Sequence, residues 1–293
     1  MTEFFVDAEL ASQPHVWLTA AGMLSDVAHL LPARGERTAI IGCGTSWFVG
    51  MSYAGFREQA GHGETDAFAG SEFPVGRDYD AYILLSRSGT TTEILDLLDV
   101  LPADKTVVIT AVPDSPLAMG SSRVIALPFA DERSVVQTRF ATTALALLRA
   151  HLGHDIADLA AEAELALSIP IHELLAAEQV SFVGLGPAVG LATEAALKCR
   201  EAAQFWAESY PAMDYRHGPV AIAQPGRLVW CLGDAPEGFA DEIDHTGATF
   251  VRHGLDPIAG LIVAQRFAVA LAVQRGLDPD HPRALTRSVI LSS

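Results

Sequence analysis

Lysine is nearly missing from this 293-residue chain, which has two, Lys105 and Lys198. Cysteine is almost as scarce. Cys43, Cys199 and Cys231 are too few and too scattered for a disulfide framework or a metal knuckle, so a reducing cytoplasm is the expected setting. Basic residues as a class are outnumbered, 19 Lys and Arg against 36 Asp and Glu, for a net charge of −17. That balance argues against a broad nucleic-acid or anionic-membrane surface. No apolar run reads as approaching a membrane span, and Met1 to Trp17 places acids where a secretory leader would place basic and then apolar residues.

What remains is an ordinary globular composition, 50% apolar with modest charge. Its length suits one large domain or two smaller ones.

The most informative stretch is Tyr82 to Leu95, YILLSRSGTTTEIL. An apolar run ends in five hydroxyl residues around one glycine, and an amphipathic segment follows. This reads as a buried strand, a tight turn and the first turn of a helix. A helix cap needs one such hydroxyl, not five. Hydroxyls together with free amide groups at a helix start make a cradle for phosphate.

Two segments repeat a theme. Thr38 to Thr45 (TAIIGCGT) and Val180 to Gly186 (VSFVGLG) are both apolar runs ending in Gly-x-Gly. Further strands are predicted at 81–85, 106–111 and 124–127, then at 228–232 and 249–252, alternating with helical stretches. The pattern predicts an α/β protein with parallel sheets covered on both faces. The stretch from His151 to Glu178, rich in Ala and Leu, predicts a helical connection. The expected halves are 1–155, with an N-terminal helical lead-in, and 156–293.

A dinucleotide site would need a third glycine at position 47 or 189, where Trp and Val stand. The first turn continues Thr45-Ser46, whereas the second continues Pro187-Ala188, losing hydroxyls and one amide. The first half is therefore the expected phosphate holder. Thr45 and Ser46 fall, with Ser86, Ser88 and Thr91, at carboxyl ends of predicted strands, where doubly wound sheets collect ligands.

The motifs GCGTS (42–46), SEF (71–73), SRSGTT (86–91), VQTR (136–139), EAALKCRE (194–201), RHGP (216–219) and PRALTRSV (282–289) occur in this order along the chain. In these motifs the chain resembles the tandem sugar-isomerase (SIS) domain family, including the isomerase half of glucosamine-6-phosphate synthase and AgaS-type enzymes. The resemblance implies two flavodoxin-like αβα domains and a homodimer with active sites near the subunit interface. Ser46, Ser86, Ser88 and Thr91 would hold a sugar phosphate, with Thr45 and Arg87 nearby and Gln137 in a segment that lines the sugar pocket. Glu201 would move the proton between C1 and C2, and His217 would assist ring opening. Lys198 matches the family's active-site lysine.

Two departures stand out. The first cysteine, Cys43, lies inside the first motif, so amide transfer from glutamine by an N-terminal cysteine is not expected. Arg287 stands where the synthase has an imine-forming lysine.

On chemistry alone, an aldose–ketose shift needs one base facing C1 and C2 and a second group at the oxygens. Glu201 follows Lys198 by three residues, on one helix face. The pair is either a surface ion pair or an electrostatic device that favours an ionised Glu201. Lys105 precedes a strand, at the end opposite the proposed site, so any imine would fall to Lys198. Arg287 either clamps substrate oxygens or lies on the surface, since a guanidinium does not lose its proton.

His217 lies in a Gly-Pro loop, with Asp214 and Glu208 as alternative orienting groups. Glu132 and Arg139 bracket a loop-to-helix transition that is either pocket lining or a cap. His151 and His154 have no carboxylate partner in the pattern, so an enzyme without metal or cofactor is expected. The expected activity is isomerisation of a 6-phosphorylated sugar or amino sugar, with deamination or fructosamine-6-phosphate deglycation within the same class. A non-catalytic phosphosugar sensor is the alternative.

Overall fold

The computed structural model describes residues 4–291. The described strands form two parallel sheets. The first has the order β2-β1-β3-β4-β5, from β1 (Thr38–Gly42), β2 (Thr65–Ala69), β3 (Ala81–Leu85), β4 (Thr106–Thr110) and β5 (Val124–Ala126). The second has the order β7-β6-β8-β9, from β6 (Gln179–Gly184), β7 (Ala207–Pro211), β8 (Arg227–Leu232) and β9 (Thr249–Val251). In both, the chain leaves the first strand, moves to one side and then crosses back. The first sheet has the flavodoxin-type order.

Strands β1, β3, β4 and β6 are buried along their whole length. Buried on both faces, they read as continuous apolar runs rather than alternating ones, so the sequence reveals them. The strands that the sequence reading passes over are β2 and β7. Each is an edge strand of mixed polarity beside the first strand of its sheet, half-exposed along most of its length.

The chain forms two compact units. One is built from His15–Arg133, Gln137–Ile156 and the tail from Thr286 onward. The other is built from the stretch up to Pro14, Ser134–Val136 and Ala157–Leu285. A single cut near residue 155 therefore does not describe them, because both chain ends belong to the unit of the opposite half. The reason at the N-terminus is a cap. The buried Asp280 carboxylate accepts the amides of Phe5 (2.7 Å) and Val6 (2.9 Å) at the start of the Phe5–Ala11 helix. The connection expected over 151–178 is a turn at Gly153, a helix over Ile156–Ser168 and a 3-10 turn over His172–Ala176.

One described helix, Pro257–Gln274, is long and apolar enough by length and composition to cross a membrane, and 72% of that window is buried. The sequence reading finds no such run because Gln265 and Arg266 interrupt it. The fold satisfies both. Gln13 Nε2 donates to Gln265 Oε1 at 2.9 Å, and Arg266 Nη1 donates to the carbonyls of Ala166 (2.9 Å) and Ile169 (2.7 Å). The helix is the core element of its unit and packs along the Ala188–Ala203 helix.

Candidate active site

In the first-half unit, β1 and β3 lie side by side with Gly42 opposite Leu85, so the turns that follow them leave the sheet at the same end. After β1, Gly44 has φ +53°, and the Thr45–Gln59 helix starts at once. A Cβ on Gly42 would sit 2.7 Å from the Ser46 backbone, so only glycine permits this approach. Ser46 is 3% exposed, and its hydroxyl has no hydrogen bond among the described residues. An unengaged hydroxyl beside the free amides of a helix start suits an anion.

After β3 the chain forms a hydroxyl cluster. Ser86 Oγ accepts the Gly89 amide (3.2 Å) and lies 3.4 Å from Thr91 Oγ1. Ser88 Oγ accepts the Thr90 amide at 3.2 Å. Gly89 has φ +63°, and a Cβ there would collide with Ser115 Oγ. The Thr92–Val100 helix then begins, its first amide accepted by the Val289 carbonyl at 3.3 Å.

Arg87 does not join this cluster. The chain bends at 87–89, and the Arg87 side chain bonds elsewhere. Its guanidinium is buried, ion-paired to Glu132 at 3.7 Å and donating to the Arg287 carbonyl at 3.0 Å. Its side chain links the loop at Glu132 to the tail at Arg287.

Glu132 is a cap. Its Oε1 accepts the amides of Thr138 (2.5 Å) and Arg139 (2.8 Å) and the Thr138 hydroxyl (2.9 Å), at the start of the Arg139–His151 helix. Arg139 Nε donates to the Asp131 carbonyl at 3.0 Å. Gln137 is half-buried, and its Oε1 is sealed from solvent without a partner. Arg287 is neither idle nor free. It pairs with the Asp131 carboxylate and donates to the Glu132 carbonyl, tying the tail to its unit. His151 and His154 diverge: His154 Nδ1 lies 2.9 Å from an Arg149 nitrogen, while the His151 ring meets His62 edge-on.

In the other unit, the Ala188–Ala203 helix carries Glu194, Lys198 and Glu201 at spacings of four and three, hence on one face. Lys198 is 1% exposed. Its Nζ lies 3.2 Å from Glu194 Oε1 and 2.6 Å from Glu201 Oε2. Burial pushes the ammonium pKa down, but the Glu194 and Glu201 carboxylates outweigh it, and the net shift is upward. The two carboxylates therefore favour its ammonium form. Glu194 opens the EAALKCRE motif, and its position one turn before a lysine is the signal for this pairing.

The Glu201 side chain alone of the three reaches solvent, at 20% exposure. It opens on a cavity of about 270 Å³ lined by Arg200, Glu201, Gln204, Arg283, Ala284 and Leu285. Gln204 (φ +48°) and Ala284 (φ +62°) are the non-glycine residues with left-handed backbone among those described, and both line this cavity. Such conformations concentrate at functional sites.

His217 is exposed, at the end of the Asp214–Arg216 turn, with no side-chain bond among the described residues. Glu208 does not orient it, because that carboxylate accepts from Trp206 Nε1 (2.9 Å) and the Tyr210 hydroxyl (3.0 Å). Its neighbour Arg216 is committed to Glu242 through two bonds of 2.7 and 2.8 Å.

No family model matches the chain. In sequence it is similar to the glutamine–fructose-6-phosphate aminotransferase (isomerizing) of Zymomonas mobilis, 27% identical over 316 residues, covering 87% of this chain and 52% of that protein. The chain spans about half the length of the curated relatives it matches. Its fold is that of glucosamine-6-phosphate deaminase from Thermotoga maritima (TM-score 0.78, 23% identity, 97% of this chain and 99% of the other). It is also that of tagatose-6-phosphate ketose/aldose isomerase from Escherichia coli (TM-score 0.79, 19% identity, 98% and 96%). The resemblance read from the ordered motifs is thus found again in whole-chain sequence and in fold.

Proposed function

We propose that this chain interconverts the aldose and ketose forms of a 6-phosphorylated sugar or amino sugar. The observation that carries the reading is the buried Glu194–Lys198–Glu201 array, which fixes a cation against the one carboxylate of the set that reaches solvent. That cation lies 2.6 Å from the carboxylate that would take the proton. The partnerless Ser46 hydroxyl and the Ser86–Thr91 turn support a phosphate site.

In the proposed reaction the Glu201 carboxylate takes the proton from C2 of the open-chain aldose, leaving an enediol, and returns it to C1. The hydroxyl proton leaves O2 and reaches O1, so atoms and charge balance. His217, exposed and without a partner, serves ring opening. Lys198 acts through charge in this reading, its ammonium held between the Glu194 and Glu201 carboxylates. Deamination adds loss of ammonia from C2 to the same proton transfer, and deglycation of a fructosamine 6-phosphate is a third member of the class. The proposal includes two flavodoxin-like domains in tandem and a cytoplasmic homodimer with active sites near the subunit interface.

The test is proton NMR in deuterated water with fructose 6-phosphate, glucosamine 6-phosphate and a fructosamine 6-phosphate. Deuterium entering C1 or C2 is expected, and ammonia release separates deaminase from isomerase. Binding without exchange at either carbon would overturn catalysis in favour of a sensor.

A further inference from the structure

We infer that Ser288, on the C-terminal tail, is a positioning residue that orients the Ser88 hydroxyl proton toward bound phosphate. The inference rests on the reading of the Ser86–Thr91 turn as the phosphate holder.

The argument is a count of protons. Thr90 Oγ1 lies 3.0 Å from Ser88 Oγ and 2.9 Å from Ser288 Oγ. A hydroxyl carries one proton and two lone pairs, so Thr90 donates to one neighbour and accepts from the other. Two orders satisfy the chain. In one, Ser88 donates to Thr90 and Thr90 to Ser288, and the Ser88 proton is consumed inside the cluster. In the other, Ser288 donates to Thr90 and Thr90 to Ser88.

In this second order Ser88 Oγ accepts from both the Thr90 amide (3.2 Å) and the Thr90 hydroxyl, which fills its lone pairs. Its own proton must then point out of the cluster. Of the two orders, this one leaves Ser88 able to donate to an anion. Ser88 is 8% exposed, so water supplies few substitutes. An oxyanion therefore selects the order that starts at Ser288, and each bond in the run polarises the next.

Ser288 is held in place independently of this chain. Around it, the Arg287 carbonyl accepts from Arg87, the Val289 carbonyl accepts the Thr92 amide, and the Thr286 hydroxyl donates to the Ser288 carbonyl at 2.8 Å. Removing the Ser288 hydroxyl thus deletes the proton donor without freeing the tail.

The test is calorimetric binding of inorganic phosphate and of fructose 6-phosphate to the full chain and its variants. Ser288→Ala should weaken both ligands about 5-fold, the worth of one neutral hydrogen bond. Ser288→Thr, which keeps the hydroxyl, should restore the affinity. In a Thr90→Val background, Ser288→Ala should cost nothing further, because the route from Ser288 to Ser88 is already cut. If Ser88→Ala weakens phosphate but Ser288→Ala does not, or if Ser288→Ala costs as much with Val at 90, the relay is overturned while the phosphate site stands. If the unaltered chain binds neither ligand, the phosphate site itself fails and the relay with it.

Discussion

The turn after β1 and the turn after β6 have one backbone and two chemistries. Gly44 and Gly186 have nearly the same positive φ, +53° and +50°. A Cβ on Gly42 would meet Ser46 backbone at 2.7 Å, and one on Gly184 would meet the Ala188 carbonyl at 2.5 Å. Each turn feeds a long helix, and each first strand sits in its sheet between the second and third, with the next strand beyond the third. The side chains differ. Thr45 and Ser46 open the first helix, while Pro187 and Ala188 open the second, which instead carries Glu194, Lys198 and Glu201 two to four turns on. The same scaffold thus carries different side chains: one copy has hydroxyls at its turn, and the other has the Glu194–Lys198–Glu201 array, which the proposed function reads as phosphate holder and acid–base group.

Five experiments break or sharpen this contrast. The largest effect is expected in the second copy, where Lys198→Met strands two buried or half-buried carboxylates. The loss is roughly 3–5 kcal/mol, read as a fall in chemical-denaturation midpoint. A variant as stable as the parent would remove the array from the account. Next, Glu201→Gln should lower C1/C2 deuterium exchange by about 10²–10⁴-fold while keeping sugar-phosphate affinity. Retained exchange would move the base elsewhere.

In the first copy, Ser86→Ala with Ser88→Ala should weaken fructose 6-phosphate by on the order of 10²-fold, two charge-assisted bonds being lost. Binding unchanged in calorimetry would show that the contrast between the turns is not about phosphate. The shared backbone is probed by Gly42→Ala and Gly184→Ala, each expected to cost about 1–3 kcal/mol through forced backbone shifts. Markedly unequal costs would deny that the two turns are equivalent.

The smallest effect concerns pH. The folded Lys198 pKa lies above its unfolded value of about 10.4, so its stabilisation is fully present below that pH and is lost only as pH rises through the folded pKa. The stability gap between the parent and Lys198→Met should therefore hold from neutrality to about pH 10 and narrow above it. A gap that closed below about pH 9 would mean a depressed ammonium.

The sequence resolves these features unevenly, for physical reasons. The central strands announce themselves because both their faces are buried, whereas β2 and β7, half-exposed at the edges, have no such run. The spacing of Lys198 and Glu201 on one helix face follows from helical geometry alone. The fate of Arg87 does not. The family resemblance implied a place near the phosphate, and only the position of Glu132, 45 residues on, reveals a buried ion pair. Arg287 likewise left two roles open until Asp131 came beside it.

By itself, the sequence determined the α/β class, the two glycine turns and the hydroxyl-rich segment, because these depend on residues within a few positions of one another. It also limited amine chemistry to two lysines. The tertiary structure alone decided that Lys198 is buried, that both chain ends join the unit of the opposite half, and that Ser288 touches Thr90. Those facts depend on residues far apart in the chain, whose meeting no local pattern encodes. The energy of burying a charge or orienting a proton exists only once they meet.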